Sequence, residues 1–183
     1  MRFNEAKATQ AAARLLERRG GRMSYMKLIK LLYLADREAL ARYGKTISTD
    51  TYFSMKLGPV LSQVLDLITE GPNPQIGDTY WTNHISEPEH YEVSLKAVPS
   101  GDLLSEAEDE LLDQTFDRYG QMSRWQLVDL VHTLKEWRNP DGGALPIPLA
   151  DILAAQDKSP AEIREILEEI SAADQVGLHL ATR

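Results

Sequence analysis

Apolar positions are densest between Tyr25 and Leu40, and the rest of the chain reads as packing around that stretch. Tyr25, Leu28, Ile29, Leu32, Ala35, Ala39 and Leu40 recur at helical spacing, and Leu31 and Leu34 widen the apolar surface beyond one stripe. A helix apolar over most of its circumference is buried on several sides, so the spacing predicts a core helix. Ser24 offers an N-cap hydroxyl and Gly44 a left-handed stop. Lys27, Lys30, Arg37 and Glu38 make up the narrow polar strip. Upstream, Ala8, Ala11, Ala12, Leu15 and Leu16 give the helix expected over Arg2–Arg19 a small-residue face suited to close approach. Gly20-Gly21 then joins the two helices as a helical hairpin.

Downstream, aromatic and polar residues alternate over Asp50–Lys56, the pattern of a short strand. Pro59 suits a first helical turn, so a helix is expected over Pro59–Thr69, ended by Gly71-Pro72 and followed by the loop GPNPQIGD. Tyr80–Ile85 and Tyr91–Val98 read as two strands of a hairpin that pairs with Thr51–Met55 into a small sheet. Three capping boxes follow: Ser105 with Glu108, Ser123 with Gln126, and Ser159 with Glu162. They open helices, of which the second is expected over Arg124–Glu136 and the third over Ala161–Ala172. NPDGGALPIP reads as an irregular loop, Leu149–Gln156 as a short helix and Val176–Arg183 as a flexible tail. The expected class is therefore mainly α (α+β): a compact helical domain over residues 1–183 with a central buried helix and a small antiparallel β-hairpin or sheet.

Composition narrows the chemistry. The 183 residues contain no cysteine, which removes disulfides, thiolate metal sites and thiol catalysis. The N-terminus lacks a signal-peptide pattern and no apolar run reaches the ~20 residues of a membrane span, so a soluble, cytoplasmic protein is expected. The net charge of −8 is uneven: residues 1–45 hold 11 Lys+Arg against 4 Asp+Glu, and the remainder is strongly acidic. Mutual neutralisation within the fold is one reading; a basic face for an acidic partner or nucleic acid is the other. Overall acidity argues against nonspecific DNA binding, and no helix-turn-helix or zinc-finger pattern is present.

Candidate catalytic residues are sparse. Asp129, His132 and Glu136 would share one face of a helix, as a metal site or a base with an orienting carboxylate, yet a third strong ligand is missing. The simpler reading is a histidine packed near Trp125 and Trp137. His84 and His90, with Glu87 and Glu89, fit a solvated turn better than a metal site. No nucleophile elbow, phosphate loop or metalloprotease motif occurs. No cofactor is expected.

The string KLIKLLYLADREALARYGKTISTDTYFSMKLGPVLSQV resembles the signature of the Panacea domain, the SocA-like antitoxin family. The residues that carry the likeness are Lys27, Leu28, Lys30, Leu31, Leu32, Tyr33, Gly44, Phe53, Gly58, Pro59 and Val60. LVHTLKEWRNP, with His132 and Trp137, resembles the family's second block. By the family's usual extent the likeness covers about residues 20–170. It implies an antitoxin that binds a cognate toxin protein directly and, in some members, hands it to a protease such as ClpXP. Lys27, Lys30, Tyr33, Phe53, Met55, Lys56, Gly58 and Pro59 are then the expected partner-binding residues, the lysines adding positive points among adaptable aromatics and methionine. The same residues also read as a solvated strip beside core aromatics. An enzyme or small-molecule-binding protein using Asp129, His132 and Glu136, or a nucleic-acid-binding regulator, are the alternatives.

Overall fold

A computed structural model of the chain describes residues 2–71 and 77–181. Its elements run α1 (Glu5–Arg18), β1 (Arg22–Ser24), α2 (Tyr25–Tyr43), β2 (Tyr52–Met55), β3 (Gly58–Leu61), α3 (Ser62–Thr69) and α4 (Tyr80–His84). After these come β4 (Glu92–Ser94), α5 (Glu106–Tyr119), α6 (Arg124–His132), β5 (Leu145–Ile147), α7 (Leu149–Ala154) and α8 (Pro160–Ala181). The class is mainly α with small antiparallel sheets, as the patterning predicts.

Helix α2 is the spine. Twelve of its nineteen residues are buried, and it touches α1, α3, α5, α6, α7, β1 and β3. That explains the apolar circumference: neighbours lie on all sides. Leu28, Leu31 and Leu40 are fully enclosed, each contributing about 2 kcal/mol by removal from water. Gly44 ends the helix in the left-handed conformation at φ 66°. Ser24 stands at the N-cap position, but its hydroxyl makes no capping bond and is buried without a partner. Ala8, Ala11 and Ala12 of α1 are fully buried, so their size admits α2 and α5 at close range. The charge asymmetry is resolved here by mutual pairing. Lys7 and Arg14 of α1 meet Glu108 and Asp113 of α5 at 2.8 and 2.6 Å, and Arg18 meets Asp117.

Several elements differ from expectation. Tyr80–Ile85 is a helical turn, not a strand, because Thr79 and Thr82 form a reciprocal capping box and Glu5 Oε1 accepts from the Trp81 amide at 2.8 Å. In place of the two expected paired strands, isolated antiparallel bridges join Ile85 to Leu95 and Glu89 to Glu92. Strand β4 pairs antiparallel with β1, which occupies the link read as a bare turn. His90 and Tyr91, both at positive φ, delay the start of β4.

The second sheet has the order β3-β2-β5. Strand β5 lies within the segment expected to be irregular. Pro59 sits in β3 opposite Ser54, not in a helix: β3 is an edge strand, where a missing N–H is tolerated. Helix α3 starts only at Ser62. Its cap comes from Asp50, thirteen residues before Gln63, whose carboxylate accepts from the Gln63 and Val64 amides at 3.0 and 2.9 Å. All three expected capping boxes form. The third opens a helix that runs beyond Ala172 to Ala181, into the segment read as a tail. Residues 72–76 of the expected GPNPQIGD loop, and the last two of the tail, lie outside the described residues.

Candidate partner-binding site

Strands β2 and β3 form a tight hairpin whose turn is Lys56-Leu57, with Met55 opposite Gly58. Four contacts clamp it. From α2, Lys30 Nζ donates to the Pro59 carbonyl at 2.7 Å. From α6, Val131 packs where a side chain on Gly58 would stand. Beyond α6, Trp137 Nε1 donates to the Met55 carbonyl at 3.1 Å, and the Arg138 amide donates to Ser54 Oγ at 3.2 Å. Gly58 has φ 97°, so both its conformation and its neighbour require glycine. The two sequence blocks, some seventy residues apart, thus meet in one structure: the second holds the hairpin that the first builds.

Beneath the hairpin lie two buried polar centres. Asp36 accepts from the Ile47 and Ser48 amides at 2.7 and 3.0 Å, from the Tyr52 hydroxyl at 2.9 Å, and from the Ser48 hydroxyl. These bonds fasten the α2–β2 connection to the spine. Burial still pushes the Asp36 carboxyl above its ordinary range, the bonds from Ser48, Tyr52 and Ile47 offsetting only part. Glu136 is the second centre. Its Oε1 accepts from Tyr33 OH at 3.0 Å and Arg37 Nε at 2.7 Å, while Oε2 is buried without a partner. Burial first, and then the Glu136 charge, push the Tyr33 hydroxyl far above its usual value. His132 stacks on Trp137 with ring centroids 4.1 Å apart.

This arrangement corrects the Asp129, His132 and Glu136 reading. Helix α6 ends at His132, so Glu136 leaves the helical face and turns to Tyr33 and Arg37. Asp129 is exposed. Among the described residues no group of three or more His, Asp or Glu side chains is placed to hold a metal. His84 Nδ1 lies 2.7 Å from the Tyr80 carbonyl, and His90, Glu87 and Glu89 are exposed, as a solvated turn requires.

The expected partner-binding residues divide. Lys27, Lys30 and Tyr33 are buried, as are Gly58 and Pro59. Lys27 Nζ donates to the Met122 carbonyl at 2.7 Å and to the Gly120 carbonyl, so it fastens the α5–α6 connection instead of facing solvent. A lysine on an apolar helix reads as a polar strip in sequence, but its long stem carries the ammonium to orphan carbonyls at element ends. Phe53 and Met55 are half-buried on one face of β2, and Lys56 is exposed. Phe53 lines a groove of about 300 Å³ with Pro146 and Leu149.

Met55 lines a different groove, of about 320 Å³, between the start of α2, the hairpin and α3. Its walls are Tyr25, Met26, Met55, Leu57, Val60 and Leu65. Lys30 and Lys56 are the charged side chains among its described lining residues. Leu57 is 38% exposed at the turn. Sequence reasoning picked out Met55 and Lys56, placed Tyr25 on the core face of its helix, and did not single out Met26 or Leu65. Chemically the groove suits docking of apolar side chains, with cations to meet negative charge. No helix among the described residues is long and apolar enough to cross a membrane.

Comparison with known proteins places this geometry. The family model described as Antitoxin SocA-like, Panacea domain, matches residues 28–138, a narrower span than the 20–170 expected. Neither the curated proteins nor the solved structures return a match. The matched span starts within α2 and ends at Arg138, so it contains the spine from Leu28 onward, the hairpin and the segment that clamps it. Helix α1, β5, α7 and α8 lie outside it and complete the core around it. The match covers more than half of the chain and most of both sequence blocks, and the protein belongs to the SocA-like antitoxin family of Panacea-domain proteins.

Proposed function

We propose that the protein is the antitoxin of a toxin–antitoxin pair and neutralises a cognate toxin in the cytoplasm by binding it directly. The family match over residues 28–138 carries this reading. The mechanism is occupancy: the antitoxin covers a working surface of the toxin in a fixed ratio, with no turnover. The apolar groove beside the β2–β3 hairpin supports it, since half-exposed Met55 and exposed Leu57 offer anchors of the kind that dominate protein interfaces. The pairing of the basic α1 side chains with α5 disfavours a nucleic-acid partner, because those charges are already engaged.

Co-expression with the product of the adjacent reading frame tests the reading. A neighbour that is toxic alone, harmless with this protein and co-purified at fixed stoichiometry supports it. A neighbour that is harmless and does not bind overturns that pairing. Delivery to a ClpXP-type protease is the adaptor variant. In protease-deficient cells it predicts toxin accumulation with loss of protection, whereas masking predicts full protection.

A further inference from the structure

Lys30 is the outlier among the buried ionisable groups. It is 1% exposed, and of its three N–H donors one is used, on the Pro59 carbonyl. No carboxylate pairs with it among the described residues. The other buried charges have more partners: Glu136 has Arg37 and Tyr33 on one oxygen, Glu108 has Lys7, Asp36 has four donors, Asp50 three amides, and Lys27 two carbonyls. A buried cation with neither counter-ion nor full hydrogen bonding is costly to keep.

Its position gives the cost a use. Lys30 lines the groove whose walls are otherwise apolar, and no acidic side chain lines that groove among the described residues. Gly58 also lines the groove beside the ammonium; a Cβ built there would stand 3.4 Å from Lys30 Nζ, in space that Val131 fills. Lys56, exposed on the hairpin turn, adds a second positive charge at the rim. The groove volume equals roughly ten waters, room for a few side chains but not for a folded surface.

We infer that this groove docks a segment of the toxin that presents one carboxylate among apolar side chains, the carboxylate meeting Lys30 and the apolar groups filling the walls. The inference rests on the antitoxin reading for the identity of the partner, and on charge complementarity for its chemistry. A carboxylate entering the groove supplies the counter-ion that the fold leaves out. Apolar side chains alone would fill the walls without that gain, and a basic segment would be repelled by two lysines. The contact therefore selects by sign as well as by shape.

The site is testable without the toxin. Capped heptapeptides with Ser ends, Leu, Phe or Met flanking a central Glu, and a Gln counterpart for each, are titrated into the full chain by calorimetry. The expected result is about tenfold or greater preference for Glu over Gln, the range of a charge-assisted bond. Lys30→Met removes that preference, and Leu57→Asp weakens both members of each pair. Circular dichroism confirms that each variant is folded, and the exposed Leu57 variant keeps the test independent of any change in the core. Equal binding of Glu and Gln peptides, a preference that persists in Lys30→Met, or no binding by any peptide overturns the inference. None of these touches the toxin pairing, which co-expression decides separately.

Discussion

Replacing Lys30 by Met should make the protein more stable, although it deletes a buried hydrogen bond. Burial pushes the Lys30 ammonium down from 10.5 to about 7. At 1.36 kcal/mol per pH unit, that gap puts the cost of holding the charge in the fold at roughly 5 kcal/mol. Against it stands the bond to the Pro59 carbonyl, whose loss leaves a buried acceptor unpaired at about 1–3 kcal/mol. Methionine fills most of the space of the lysine stem and adapts to irregular gaps. The net gain is roughly 2 kcal/mol or more at pH 7. The pH dependence is the sharper signature. The folded value lies below the unfolded one, so between pH 7 and 10.5 the unfolded chain binds more protons and wild-type stability rises with pH. The cost is present in full below about pH 7 and fades toward 10.5. Lys27, also lowered by burial, acts in the same direction but is common to both proteins. Tyr33 and Tyr52, pushed up by burial, oppose the trend only from about pH 10, where unfolded tyrosine ionises. Urea unfolding of both proteins at pH 7, 8 and 9 should show the wild type gaining about 2 kcal/mol on the variant over that range. Parallel stability curves, or a variant several kcal/mol weaker at pH 7, would refute the uncompensated cation.

Glu136→Ala should cost about 3–5 kcal/mol in urea unfolding, because it leaves the largely buried Arg37 without its counter-ion and Tyr33 OH without its acceptor. Gly58→Ala should lower the thermal midpoint by the equivalent of at least about 2 kcal/mol, from a positive φ and a collision with Val131. Asp50→Ala removes the side-chain cap of α3 and should cost about 1–2 kcal/mol, read by denaturation; no change would mean that another group satisfies the Gln63 and Val64 amides. Leu57→Asp, at an exposed turn, should leave stability within about 0.5 kcal/mol of wild type while reducing toxin co-purification.

Where local chemistry decides, the sequence was legible. The capping boxes at Ser105, Ser123 and Ser159, the stop at Gly44 and the buried character of α2 all follow from neighbouring residues. Misreadings arose where a distant group decides. Asp50 caps α3 from thirteen residues away, which frees Pro59 for the edge strand. Glu5 and the Thr79–Thr82 pair turn an aromatic, strand-like stretch into helix. Strand β5 exists because β2 offers an open edge, which LPI alone cannot announce. The same holds at the site. Lys27 and Lys30 sit on what reads as a polar strip, yet both reach carbonyls in other elements and are buried. Residue type identified Met55 and Lys56, but only the three-dimensional path of the hairpin puts them beside Tyr25 and Leu65.

The most direct test of direct neutralisation is growth of cells that express the adjacent reading frame's product with either wild-type protein or the folded Leu57→Asp variant. The account predicts that the neighbour arrests growth alone, that the wild type restores it while co-purifying with the toxin at fixed ratio, and that the variant does neither. Growth restored equally by the variant would contradict the groove as the toxin contact, and protection without any physical complex would contradict neutralisation by binding.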